Sequence, residues 1–190
     1  MTTVIGDITL SLDGFVSGAG DGVERLHSWV LASDDPVDRE VLVEVGAAGA
    51  VVMGRTTFDA VDSPEGWAPG LGYGARQDTR PPFFVVTSSP PERVRLADTH
   101  DFTFVTDGPA AAVSAAVAAA GPGDVHVMGG GALVGSCLAA GLLDRLSLHM
   151  APEVLGAGTP LFEGVGGHRL ERRDVRASAH AVHVVYDVVR

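Results

Sequence analysis

Residues 125–134, VHVMGGGALV, decide the fold of this 190-residue chain. A short apolar run meets three consecutive glycines, and a helix-like segment follows. Glycine has no Cβ, so the backbone there can turn sharply and approach a ligand closely. The first amides of the following helix have no partner within it and favour an anion such as a pyrophosphate. The stretch therefore predicts a strand, a glycine turn and a helix that form the floor of a nucleotide site.

Length and composition are typical of one globular domain covering residues 1–190, with 46% hydrophobic and 19% charged residues. No apolar run approaches the roughly 20 residues that cross a bilayer. The N-terminus lacks the basic flank of a signal peptide. The single Cys137 excludes an internal disulfide and fits a reducing compartment. We therefore expect a cytoplasmic protein that does not contact a membrane.

The charge distribution limits the possible ligands. A net charge of −11 argues against binding to nucleic acid or to an anionic membrane. All thirteen basic residues are arginine, so lysine Schiff-base chemistry and a P-loop lysine are excluded. Any phosphate must be held by arginine, hydroxyls or backbone amides. No metal is expected: there is no Cys/His cluster, and His180 and His183 are three apart in a predicted strand, which places them on opposite faces.

Strands and helices alternate along most of the chain. Apolar or alternating runs that predict strands occupy residues 4–12, 50–53, 83–86, 102–105, 125–128 and 143–151. Predicted helices begin at Asp35-Pro36, at residue 107 and after the glycine run. Residues 169–176 and 181–189 predict a terminal antiparallel hairpin. This order predicts a three-layer αβα fold whose mixed, mainly parallel central sheet ends in that hairpin.

Two irregular segments lie between these elements. Residues 17–22 are small and glycine-rich, and they predict either a lid or an ordinary surface loop. Residues 62–82 are rich in glycine and proline and form the longest irregular segment. Long ordered loops are often functional. The arginines of the first hairpin strand predict a solvated or edge-guarding face, or a subunit contact.

Three polar strand ends are expected to converge at one edge of the sheet. They are residues 54–57 (GRTT), 87–89 (TSS) and 129–131 (GGG). Parallel strands present their carboxyl ends on the same edge, where ligands bind. An arginine and hydroxyls beside a glycine-rich floor suit a phosphorylated dinucleotide, although Gly130-x-Ala132-x-x-Gly135 is a poor match to the usual dinucleotide fingerprint.

Asp38 allows two interpretations. It lies in the first turn of the helix that begins at Asp35-Pro36, and it borders an apolar stripe containing Val41 and Leu42. It is either a helix-start acid favoured by the helix dipole or a carboxylic acid that faces a pocket, with a pKa raised by desolvation. Cys137, by contrast, is expected to be a buried structural thiol in mid-helix.

Four motifs, in order, resemble the dihydrofolate reductase superfamily, and most of all its branch around the C-terminal reductase domain of the riboflavin-biosynthesis deaminase/reductase, RibD. They are residues 11–16 (SLDGFV), 51–58 (VVMGRTTF), 85–88 (VVTS) and 127–133 (VMGGGAL). The segment 152–162, ending GAGTPLF, is similar to the riboflavin-type branch in particular. Together the motifs span nearly the whole chain.

This resemblance implies an NADPH-dependent reductase that transfers hydride to a pyrimidine- or pterin-like heterocycle, such as 5-amino-6-(5-phosphoribosylamino)uracil. It implies that Asp38 is catalytic and protonates or orients a ring nitrogen while hydride arrives. It also implies a cytoplasmic homodimer, and a loop after Asp13 that covers the nicotinamide.

The resemblance further implies which residues bind the cofactor. Arg55, Thr56 and Thr57 would hold phosphate, Ser88 and Ser89 the 2′-phosphate side, and the glycine run the pyrophosphate. The full set of implied NADPH-binding residues is Val16, Gly54, Arg55, Thr56, Thr57, Thr87, Ser88, Ser89, Gly129, Gly130, Gly131, Ala132 and Leu133. The Gly129-Gly130 peptide is expected to be cis.

Two departures argue against dihydrofolate as the natural substrate. No arginine follows the 56–58 segment before Arg76 to bind a glutamate tail. The strand position that usually carries a substrate-contacting threonine reads His149-Met150. Dihydrofolate reductase activity proper remains an alternative, as does a non-catalytic nucleotide-binding protein that kept the fold.

Overall fold

The structure is a computed structural model that describes residues 2–67, 72–73 and 80–190. Its strands are β1 (Val4–Leu10), β2 (Phe15–Ser17), β3 (Ala50–Gly54), β4 (Phe83–Val86), β5 (Phe102–Val105), β6 (Val125–Met128), β7 (Arg145–Met150), β8 (Thr159–Pro160), β9 (Arg169–Ala177) and β10 (Val182–Val189). Its helices are α1 (Gly22–Leu26), α2 (Ser28–Leu31), α3 (Pro36–Gly46), α4 (Arg55–Val61), α5 (Pro109–Ala119) and α6 (Gly131–Ala139).

Eight of these strands form one mixed sheet in the order β5-β4-β3-β6-β1-β7-β10-β9. The first six are mutually parallel, and β10 pairs antiparallel with both β7 and β9. The predicted mainly parallel sheet with a terminal antiparallel hairpin is therefore confirmed. The two remaining strands, β2 and β8, pair antiparallel in a separate ribbon.

Helices cover both faces of the sheet. On one face, α5 and α6 bury residues such as Ala116 and Val134 against Val125 and Leu146. On the other, Phe58 of α4 packs against the face of β3 and β4, and Val41 of α3 forms a separate cluster with Trp29. The central strands are apolar on both sides because both sides are covered, as in β3, where residues 50–53 are all fully buried.

The apolar covering of the second face is interrupted between its two clusters. Alternation along a strand places Asp7, His126, Ser147, His149 and His183 on this face, in neighbouring register positions of β1, β6, β7 and β10. A sheet face that is otherwise apolar therefore carries a strip of polar and ionisable groups beside α3.

The start of α3 follows its sequence closely. Asp35 is the N-cap, and its Oδ1 accepts a hydrogen bond of 2.9 Å from the Val37 amide. Pro36 occupies the first turn, where its missing N–H costs nothing. Asp38 is the acid of that turn, so α3 confirms the predicted helix-start position of this residue.

Two regions differ from what the sequence predicted, and part of a third lies outside the described residues. The 17–22 segment is the end of β2 and a short link into α1, and neither α1, α2 nor β2 was predicted. His180 lies in the turn before β10 rather than in the strand, so it and His183 do not share a strand. Much of the predicted 62–82 loop lies outside the described residues. No described helix is long and apolar enough to cross a membrane.

Candidate active site

A notch opens in the carboxyl edge of the sheet above β6. β1 pairs with β6 only as far as Asp7 and Met128, but it continues to Leu10 beside Met150 of β7. On the other side, β3 also runs past Met128, to Gly54. The glycine run therefore begins in a recess between two longer strands, which is the position where ligands enter an open α/β sheet.

Gly129 makes the turn out of β6. Its φ of +101° lies in the region that favours glycine, and an added Cβ would stand 2.2 Å from Thr57 Oγ1. The Gly130 amide then donates a hydrogen bond of 3.2 Å to the same Thr57 oxygen. The Gly129-Gly130 peptide is trans, so the expected cis bond is wrong. The positive φ of Gly129 already reverses the chain.

The glycine run leaves room for a ligand at the start of α6. A Cβ on Gly130 would have no heavy atom within 4 Å, so this residue borders open space. Gly131 and Ala132 begin a nine-residue helix, and first-turn amides have no partner within the helix. The arrangement fits the pyrophosphate of a dinucleotide, because the amides and the helix dipole both favour an anion.

Arg55 connects two of the three polar strand ends. Its Nη1 donates to the Ser89 carbonyl, and its Nε donates to Asp59 Oδ1 at 2.7 Å. The Thr87 hydroxyl donates to the same Ser89 carbonyl at 3.1 Å, and the Ser89 amide donates back to Thr87 Oγ1 at 3.2 Å. With the contact between Thr57 and Gly130, these bonds bring all three segments together at one rim, as expected for parallel strand ends.

The segment after Asp13 is tied to the start of α6. β2 pairs with β8, the Leu161 amide donates to the Gly14 carbonyl at 3.0 Å, and a Cβ on Gly131 would meet the Pro160 carbonyl at 2.6 Å. The Val16 side chain lies in the buried core cluster that also contains Leu133 and Leu161.

A cavity of about 290 Å³ lies on the polar strip of the second face. Val41, Glu44 and Val45 of α3 form one wall. The remaining polar lining comes from the sheet and from the residue before β6: Asp7, Asp124, His126, Arg145, Ser147, His149, Arg173, Asp174, Arg176 and His183. A floor of carboxylate, hydroxyl and imidazole beside an apolar wall is suited to a small flat molecule with several hydrogen-bonding groups.

Four buried residues form a continuous chain beneath this cavity. His149 Nε2 lies 3.3 Å from Asp7 Oδ2, and His149 Nδ1 lies 2.8 Å from His183 Nδ1. His183 Nε2 in turn lies 2.7 Å from Asp38 Oδ1. No member is more than 6% exposed. We call these residues, Asp7, His149, His183 and Asp38, the His–Asp chain.

Asp38 is fully buried, and both of its oxygens are occupied: His183 contacts Oδ1, and the Ser33 hydroxyl donates to Oδ2. Burial acts to raise the pKa of Asp38, but hydrogen bonds from Ser33, His183 and Ser178 outweigh it and hold the pKa below 3.8. The expected raised pKa of a pocket acid is therefore wrong. Desolvation does act to raise the pKa, as the sequence predicted, but the sequence does not reveal the hydrogen-bond partners that lower it by more.

Asp7 is the other carboxylate of the chain. The Tyr73 hydroxyl donates to its Oδ1 at 2.9 Å, and burial raises the pKa of Tyr73 well above 10, so the hydroxyl keeps its proton. Burial would raise the pKa of Asp7 too, but His149, His126 and Tyr73 hold it far below its usual range. Both ends of the His–Asp chain are therefore ionised carboxylates.

His126 is the one buried histidine of the strip with a free nitrogen: its Nδ1 has no hydrogen-bond partner among the described residues. That atom lies 4.0 Å from Asp7 Oδ2, and the residue is 7% exposed. Burial is the main cause that lowers the pKa of His126, so the imidazole is held neutral. A buried nitrogen without a partner beside a cavity is a ready contact for a polar ligand.

The sequence pointed to the rim residues but did not point to Asp7, His126 or His183 as site residues, and it marked position 149 only as the place where the family usually carries a threonine. One signal was available: each is an ionisable residue inside a strand whose neighbours are apolar, which is uncommon for a buried strand. Cys137 is buried with its pKa raised to about 11, as expected of a structural thiol. Among the described residues, no group of three or more His, Cys, Asp or Glu side chains could hold a metal ion.

An open α/β sheet with a ligand notch over a glycine run defines a dihydrofolate reductase-like fold. The chain belongs to the RibD C-terminal domain family, whose model matches residues 2–186. It is 25% identical over 190 residues to the uncharacterized protein YyaP of Bacillus subtilis, a match that covers 96% of this chain and 93% of YyaP.

Solved structures share the fold. A putative riboflavin biosynthesis protein from Shewanella superposes with a TM-score of 0.73 at 20% identity over the full length of both chains. A pyrimidine reductase-like protein from Corynebacterium diphtheriae has a TM-score of 0.68 at 18% identity, covering all of this chain and 92% of its own. The Thermotoga maritima deaminase/5-amino-6-(5-phosphoribosylamino)uracil reductase has a TM-score of 0.64 at 15% identity. This chain covers 57% of that longer protein.

Proposed function

We propose that the protein is an NADPH-dependent reductase that transfers hydride to a pyrimidine- or pterin-like heterocycle. The notch above β6 is the observation that carries the proposal. Asp7 of the cavity lining pairs with Met128, the residue before Gly129, so the anion-binding rim and one end of the polar cavity approach the same point of the sheet. A cofactor with its pyrophosphate on α6 would therefore bring its nicotinamide to the edge of the cavity.

The rim residues have separable roles in this proposal. Gly130, Gly131 and Ala132 offer backbone amides to the pyrophosphate, as the resemblance implied. Arg55, Thr56 and Thr57 would hold phosphate, and the exposed Ser88 and Ser89 would hold the 2′-phosphate side, which would favour NADPH over NADH.

The cavity has the chemistry to orient a flat heterocycle. Asp7 and Ser147 provide acceptors and a hydroxyl, and the free Nδ1 of His126 offers one more hydrogen bond. Val41 and Val45 of α3 supply an apolar wall. The reduction needs a hydride, which the reduced nicotinamide supplies when bound, and a proton, which the protein must provide. In this arrangement Asp38 acts through His183 rather than on the substrate itself.

The test uses 5-amino-6-(5-phosphoribosylamino)uracil as the probe, with NADPH oxidation followed by absorbance. Turnover with NADPH, and at least tenfold weaker turnover with NADH, would support the proposal. Saturable NADPH binding without oxidation by this probe or by dihydrofolate would favour the alternative of a non-catalytic nucleotide-binding protein. Absence of NADPH binding at millimolar concentration would overturn the proposal.

A further inference from the structure

The hydrogen bonds of the His–Asp chain fix its number of protons. Three links join its four residues: Asp7 to His149, His149 to His183, and His183 to Asp38. Each link requires one proton between its two heavy atoms, so the chain requires three. Two neutral imidazoles carry only two protons between them. One additional proton is therefore needed to satisfy all three links.

That proton belongs to the imidazoles. Asp7 and Asp38 are both held ionised, so neither carboxylate carries it. The indole ring of Trp29 packs against both imidazoles: its centroid lies 4.5 Å from that of His149 and 4.9 Å from that of His183. An aromatic face at this distance attracts a desolvated cation. The Trp29 N–H is itself bonded to Thr9 Oγ1 at 3.1 Å, which fixes the ring in place.

We infer that the His149–His183 pair stores one proton under the cavity and that His149 Nε2 delivers it to the bound heterocycle. This inference rests on the proposed reductase function. The link from His149 Nε2 to Asp7 is the longest of the three, so it is the one most easily exchanged for a bond to a ligand. It is also the link nearest the notch, because Asp7 is level with the residue before the glycine run.

The step balances. Hydride from the reduced nicotinamide forms a C–H bond at the carbon of a C=N or C=O group, and the electron pair of the broken π bond takes the proton from His149 Nε2. His149 then remains neutral, with its Nδ1 proton donated to His183 and the His183 Nε2 proton donated to Asp38. The Asp7 link is left without a proton, and uptake of one from solvent restores it. His149 is thus a catalytic residue, and His183 and Asp38 are positioning residues.

The surroundings of the pair set how readily the proton leaves. Burial lowers the pKa of His183, and its bond to Asp38 opposes this without cancelling it. The lowered pKa of His183 means that a proton leaves this imidazole more readily than it leaves an ordinary imidazolium. The ionisable groups that act on the pair or on its carboxylates come from every element packed around it: Asp7, His27, Asp38, Tyr73, His126 and Arg176.

The proton count can be measured on the whole protein without substrate. Nitrogen NMR of histidine-labelled protein distinguishes protonated from unprotonated ring nitrogens. At about pH 5, well below the ordinary pKa of histidine, we expect three of the four ring nitrogens of His149 and His183 to carry protons. Signals are assigned with His149→Gln and His183→Gln, and His168→Gln at an exposed position is the control. A count of two would overturn the inference.

Delivery of the proton is measured with NADPH and 5-amino-6-(5-phosphoribosylamino)uracil. We expect kcat of His149→Gln to fall on the order of 10²–10⁴-fold, the range for loss of a general acid, with little change in the Kd for NADPH. His183→Gln should move the pH profile of kcat, which a purely structural role would not do. Unchanged profiles and rates in both variants would overturn the inference. A count of three without oxidation of NADPH would overturn the reductase proposal and leave the stored proton established.

Discussion

The rim at the carboxyl edge and the His–Asp chain below it differ in how they are built. The rim consists of backbone amides, hydroxyls and one arginine, and its Thr56, Ser88 and Ser89 are exposed. The His–Asp chain consists of four ionisable side chains that are almost completely buried. Exposed groups keep their hydration until a ligand replaces it, whereas buried charges must satisfy one another. The comparison predicts that mutations in the rim change binding and mutations in the chain change stability and proton chemistry.

The largest effect is expected from a substitution that removes Asp38 from the His–Asp chain. Asp38→Ala leaves His183 Nε2 buried without its acceptor, so the free energy of unfolding should fall by about 3–5 kcal/mol. Urea denaturation measures it. Asp34→Ala, four residues earlier and exposed, is the matched control and should cost less than about 0.5 kcal/mol. Equal losses in the two variants would mean that the chain does not stabilise the fold.

Alanine substitutions at two neighbouring glycines of the rim should have different effects, one on stability and the other on NADPH binding. Gly129→Ala puts a Cβ into Thr57 at a positive φ, and the free energy of unfolding should fall by about 1–3 kcal/mol. Gly130→Ala projects into open space and should cost less than about 1 kcal/mol of stability. Gly130→Ala should nevertheless weaken NADPH binding at least tenfold, measured by calorimetry. If it binds NADPH as tightly as the parent protein, the pyrophosphate does not lie on this residue.

Arg55 tests the rim as a phosphate site. Arg55→Ala should weaken NADPH binding by roughly 1.5–3 kcal/mol, the scale of a charge-assisted hydrogen bond. The fold should tolerate the change, because Arg55 is partly exposed. Arg93→Ala removes the same charge at another exposed position and controls for a general electrostatic effect. Equal weakening by both variants, at fixed ionic strength, would argue against a specific contact.

The smallest effect is expected at low pH, where protonation of the two carboxylates of the His–Asp chain should lower the free energy of unfolding. The pKa values of Asp7 and Asp38 are lowered in the folded protein, so the unfolded chain binds these protons more readily. Their contribution is complete above the ordinary value of 3.8 and is lost as the pH falls from there through the folded pKa values. Asp7→Asn should therefore show a shallower loss of stability below about pH 4. An unchanged slope would contradict the lowered pKa of Asp7.

The same contrast explains what the sequence could predict. Each part of the rim occupies consecutive positions, as in residues 54–57 and 129–131, and parallel topology then brings the parts together. The central strands of the sheet were predictable because they are apolar or alternating runs, and the hairpin because two strand-like segments follow one another across a short turn. The chain joins positions 7, 38, 149 and 183, and only the strand register and the placement of α3 bring them into contact. The lowered pKa of Asp38 depends in part on contacts of the same non-local kind, with His183 and Ser178.

The rim and the His–Asp chain should respond together if they meet at one notch around a single cofactor. Amide NMR during titration with NADPH measures this response. We expect saturable shifts at Gly130, Gly131, Ala132 and Ser88, together with shifts at Thr9 and His149. They should appear at NADPH concentrations of about 1 μM to 1 mM, the range usual for enzyme ligands. An absence of shifts in that range, or shifts confined to residues away from this edge, would contradict it.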